Sequence, residues 1–252
     1  MRQGARIVVL AVAMLATGCG INAHLPASRL ETPETYGRPL AFGVDLGVQG
    51  SNSLSLTSDY TITPVDTDEP TYTRSTGVKI GAAVGLAERF DLALKTAWDS
   101  PLLLQGKYQL LGDPQGTAKQ GNSALAVTAA MGNHNQGGES DDTFSGGDDA
   151  YSMNAYMADA SVIAGYRFSD NGLVFGGPFV QQYWISGTHT LDGAPEVAYD
   201  LDAQQYGVNL AIAFTINRIF QLTVEAVFVE SRASDADVRS GFLGAQFGIV
   251  QF

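Results

Sequence analysis

From Pro39 onward the chain alternates. In PLAFGVDLGVQG the residues Leu40, Phe42, Val44, Leu46 and Val48 fall on one side of an extended backbone, with Ala41, Gly43, Asp45, Gly47 and Gln49 on the other. A period of two with one bulky apolar side predicts a β-strand. The pattern recurs with Val78, Ile80, Ala82, Val84 and Leu86, then with Phe90, Leu92, Leu94, Thr96 and Trp98, then with Leu102, Leu104, Tyr108 and Leu110. Further strands fit near 122–132, 153–168, 172–186, 205–217, 219–231 and 240–252, ten in all. SLSLTSDYTIT, near Leu54 to Thr63, either extends the first strand or pairs separately.

The connections differ in length. AER near Glu88, SDNG at Ser169 and NR at Asn217 are tight, and GDPQGTAKQG is somewhat longer; between them lie long segments around 51–72, 133–152 and 187–204. The short DSP at Asp99 is an exception on the long-segment side. Short turns on one side, long loops on the other and an even strand number are the plan of a transmembrane barrel. Alternating strands also build soluble sandwiches, whose outer face carries many charges. Here the face opposite the bulky residues is mostly Gly, Ala, Ser, Thr, Gln and Asn. Small residues of this kind suit a crowded lumen.

The bulky face is expected to carry aromatic residues at two levels: Phe90, Tyr108, Tyr166, Phe168, Phe175, Phe214, Phe220 and Phe252 near the tight turns, and Trp98, Tyr156, Tyr183, Tyr206 and Phe228 near the long loops. Such rings favour the headgroup zone of a bilayer. The chain resembles bacterial outer-membrane β-barrel proteins as a class. Its last residues, FGIVQ followed by Phe252, resemble the C-terminal signal that the barrel-insertion machinery reads in such proteins. The resemblance implies an all-β, antiparallel up-and-down barrel over residues 38–252, in the bacterial outer membrane, in contact with membrane lipids and outer-leaflet glycolipid. In the last strand the two faces are hard to tell apart, with Phe242, Val250 and Phe252 on one side and Leu243, Phe247 and Ile249 on the other.

The first residues have a different plan. MRQGARIVVLAVAMLATGCG has Arg2 and Arg6, a short uncharged run, then small residues, as in a secretory signal peptide over 1–18. LATGC resembles the lipobox of bacterial lipoproteins, which implies lipidation of Cys19, the sole cysteine. Residues 19–37 have no apolar period and are read as a tether.

Composition agrees with a membrane barrel. Charged residues make up 16% of the chain and glycines number 29, against about 25% charged in ordinary soluble domains. Losing Arg2 and Arg6 with the signal moves the net charge from −12 to −14. An acidic chain without a basic cluster argues against a nucleic-acid partner. The inward faces carry Asp45, Asp91, Asp159 and Glu225 against Lys79, Lys95, Lys107 and Arg167. Two readings stand for these charges. They brace the wall as an ion-pair network, the favoured reading because buried ions need partners, or they line a narrow permeation path for small solutes.

No cofactor or metal site is expected, and no enzyme. Of the three histidines His24 lies in the tether, and His134 and His189 lie in external loops near Asp141, Asp142 and Asp192. A His beside a carboxylate could activate a water or a serine, but neither a serine elbow nor a paired-His motif is present. The acidic stretch with Glu139, Asp141, Asp142, Asp148 and Asp149 matches no EF-hand spacing. It reads as a solvated loop.

Overall fold

The computed structural model describes residues 22–55, 71–97, 100–142, 147–190, 196–217, 219–234 and 236–251. Ten strands close into an antiparallel barrel: β2 (Phe42–Ser55), β3 (Thr71–Ala87), β4 (Phe90–Ala97), β5 (Leu102–Leu111), β6 (Ser123–Asp142), β7 (Gly147–Ser169), β8 (Gly172–Thr190), β9 (Val197–Ile216), β10 (Phe220–Ala233) and β11 (Ala236–Gln251). Each pairs with its neighbours in sequence, and β11 closes on β2 with Ala245 opposite Val48 and Gln251 opposite Phe42. An additional short strand, β1 (Asn22–Pro26), pairs with the upper part of β2.

The outside is a continuous apolar band. On β10 the outward residues are Phe220, Leu222, Val224, Ala226 and Phe228, followed by Glu230 and Arg232. On β9, Val208, Leu210, Ile212, Phe214 and Ile216 face out, with Gln204 and Asp202 beyond. Leu210 is 63% exposed and Phe228 66%. A ring of side chains this apolar and this exposed is unsuited to water and suited to acyl chains. Closure leaves no lower strand edge, as hydrocarbon requires.

Tyr108, Tyr166, Phe168, Phe214 and Phe220 face out near the tight turns, where Phe168 meets Phe214 edge-on with centroids 6.0 Å apart. Phe90 is partly exposed at that end. Tyr156, Tyr206 and Phe228 mark the other margin. Tyr183 and Phe175 require correction, since both point into the lumen with 1% and 2% of their surface exposed. Pairing of β8 with β7 sets Trp184 opposite Tyr156, so Trp184 takes the outward place assigned to Tyr183. Trp98 and Phe252 lie outside the described residues. The ambiguous final strand resolves with Leu243, Phe247 and Ile249 outward and Phe242 and Val250 inward.

Most of the expected external loops are strand. β6 and β7 stay paired up to Asp142 opposite Gly147, and β8 and β9 up to His189 opposite Val197. β7 has 23 residues, whereas about 9–11 suffice to cross a bilayer. The surplus projects beyond the band as tall hairpins. β10 and β11 meet in a tight turn at the same end, where Ala233 lies opposite Ala236.

Candidate functional site

The lumen is occupied by the chain's own N-terminal segment. Residues 22–36, expected to be a tether, run down the barrel axis, with Leu25, Ala27 and Thr35 each 0% exposed. The correction has a physical cause: beyond the short β1 the segment has no alternating face for a sheet, yet its Arg29, Glu31 and Glu34 match charges on the inner wall. It enters beside β2, with Asn22 opposite Ser55 and Pro26 opposite Ser51. It leaves at the tight-turn end through Gly37, whose φ of +86° places a would-be Cβ 2.7 Å from Pro114.

Through its middle and lower course the segment is held by ions. Arg29 makes a two-pronged ion pair with Asp159 and lies 5.2 Å over the Phe179 ring. Glu225 accepts the backbone N–H of Arg29 at 2.9 Å and of Leu30 at 3.0 Å, and the Asn209 amide at 2.6 Å. Glu31 pairs with Lys95 and accepts from Gln105 at 2.8 Å. Glu34 pairs with Arg167 and accepts the Asn122 amide at 3.0 Å. Lys107 joins Asp91 at 3.1 Å and donates to the Glu34 carbonyl at 2.7 Å. Lys79 reaches Gln246 at 3.0 Å and the Arg29 carbonyl.

All eight charges named for the wall are on its inner side, but only Lys107 and Asp91 pair with each other. Three of the four wall–segment or wall–wall ion pairs use the segment as one partner. Asp45 faces a cavity of about 80 Å³ beside Tyr36, Lys79 and Lys95, and its Oδ1 has no hydrogen-bond partner. A second cavity, of about 30 Å³, lies near Arg29 and Gln181. Buried ion pairs add little net stability, yet breaking one costs about 3–5 kcal/mol because a bare charge remains. Their effect is to fix which residue of the segment sits at which height.

The upper lumen differs. β2 bends beneath β11 above Val48, and Leu25 and Leu54 pack against Met153, Met157, Tyr183 and Ile185. The seam is fastened by side chains: Ser240 donates to Asn52 at 2.9 Å, Asn52 donates to Ser231 at 2.7 Å, and the Phe242 ring rests on Gly50.

The histidines are on strands. His24, in β1, shares a hydrogen bond with Ser75 at 3.1 Å. His134 lies on β6 opposite Ala155, and His189 on β8 opposite Tyr151. Asp141 lies seven residues beyond His134 on the same strand, about 23 Å along it at strand rise. Asp192 and Cys19 lie outside the described residues. Among the described residues no three His, Cys, Asp or Glu side chains converge on a metal site.

No protein-family model matches the chain, and no curated protein sequence does. Solved structures with a similar course include the attachment invasion locus protein Ail of Yersinia pestis, at 9% identity and TM-score 0.35, covering 83% of this chain and 99% of Ail. The outer membrane protease OmpT of Escherichia coli aligns at 11% identity and TM-score 0.40, over 93% of this chain and 95% of OmpT. The translocator domain of the autotransporter NalP of Neisseria meningitidis aligns at 10% and 0.31, over 99% and 94%. Scores this low leave the case to the barrel's own geometry.

Proposed function

We propose that this chain is an integral outer-membrane β-barrel with its tight turns toward the periplasm, and that it is a closed, non-conducting barrel with a structural or surface-interaction role. The observation that carries this reading is the occupied lumen: a buried segment bound by ion pairs to Lys95 of β4 and to Asp159 and Arg167 of β7, and by backbone N–H groups to Glu225 of β10, with cavities of about 80 and 30 Å³ beside it among the described residues. The tall β6–β9 hairpins supply the surface for contact outside the membrane.

The test is single-channel recording in a planar bilayer. The intact protein is expected to give no conductance steps, and a variant lacking residues 22–36 to give them, because the wall left behind presents Asp159, Lys95 and Arg167 to an emptied lumen without their partners. Steps from the intact protein at rest would favour a narrow pore for small solutes instead.

A further inference from the structure

The direction of the inner segment is fixed by its partners at both ends. Asn22 lies opposite Ser55 of β2, while Thr35 donates its N–H to Gln109 at 2.7 Å and Tyr36 donates its own to Asp91, both at the tight-turn end. Val48 is the last outward apolar residue of β2 and the last to pair with β11. Ser55 lies seven residues further along β2, about 23 Å at strand rise. The chain thus enters the lumen from the end bearing the tall hairpins, runs down past Arg29, Glu31 and Glu34, turns at Gly37 and rises again as β2.

We infer that the inner segment is threaded through the barrel's own lumen with its Asn22 end opening on the hairpin side of the membrane; on the orientation proposed above, that side is the cell exterior. Cys19 is three residues ahead of Asn22, no more than about 11 Å of fully extended chain. The hydrocarbon layer is about 30 Å thick. A lipid on Cys19 and a seated inner segment therefore coexist only when the lipid is held on the hairpin side. Anchoring in the periplasmic leaflet would require the segment to withdraw, leaving Asp159, Lys95 and Arg167 without their partners.

The experiment places a short epitope immediately before Asn22 and, in a separate variant, after Asp142 at the β6–β7 tip. Antibody binding to intact cells is compared with binding after permeabilisation. Because an epitope could itself block threading, Asn22→Cys in a Cys19→Ser background is reacted with a membrane-impermeant maleimide as a second probe. Labelling of Asn22→Cys on the same side as the β6–β7 epitope is expected, with intact and permeabilised signals within about twofold. Labelling of both on the periplasmic side would leave the threading intact and overturn the orientation. Labelling of Asn22→Cys on the side opposite the β6–β7 epitope would overturn the inference.

Discussion

At the height of Glu34 and Arg167 the inner segment touches the wall through charged and amide groups, whereas around Leu25 and Leu54 its neighbours are Met153, Met157, Tyr183 and Ile185. The two levels hold one strand of chain by different means. Charge pairs are selective, because a slip of one residue exchanges a partner for an uncompensated ion. Apolar contacts are tolerant of small displacement but sensitive to lost volume. The lower lumen thus sets the register of the segment, and the upper lumen, together with the β1–β2 ladder, keeps it seated.

That contrast is breakable from the bottom. Glu34→Ala strands Arg167, whose side chain is 4% exposed, and is expected to cost about 3–5 kcal/mol. Heat-modifiable migration on a gel reads this as a lower unfolding temperature. The pair Glu34→Leu with Arg167→Met is expected to recover most of the loss, since no bare charge remains. In the upper level, Ile185→Ala is expected to cost about 2–4 kcal/mol through the void it leaves, and here a second substitution at Arg167 adds independently. A smaller effect is expected at the seam. Gly50→Val would set a Cβ 2.2 Å from the Phe242 ring, an overpacking cost of about 1–3 kcal/mol, measured by the same gel shift. Least affected is the rim, where Arg239, with a side chain 79% exposed, pairs with Glu230. Arg239→Ala is expected to leave the unfolding temperature unchanged.

The wall was legible from alternation alone because lipid imposes a single demand on the outward face, and Val44, Ile80, Leu94 and Leu210 all answer it. The errors cluster where the inward face is apolar as well. Along β8 both Trp184 and Tyr183, and both Val174 and Phe175, satisfy an apolar reading, so the period could not say which of each pair looks out. Only pairing with β7 and β9 decides it. The hairpin extensions were missed because above the apolar band their outward residues, such as Asn133, Asn135 and Ser152, are ordinary turn formers by type. The eight wall charges were visible, but their partners were not. Arg29, Glu31 and Glu34 lie in a stretch without periodicity, and the one available sign was the mismatch between a ten-stranded circumference and an inner face rich in Gly and Ala, which leaves room for another chain.

Hydrogen–deuterium exchange of the detergent-solubilised protein tests the filled lumen most directly. The account predicts that amides of residues 23–36 exchange as slowly as those of β7 and β10, by orders of magnitude more slowly than in a free peptide of that sequence. Exchange of those amides at free-peptide rates, with the strands still protected, would contradict it.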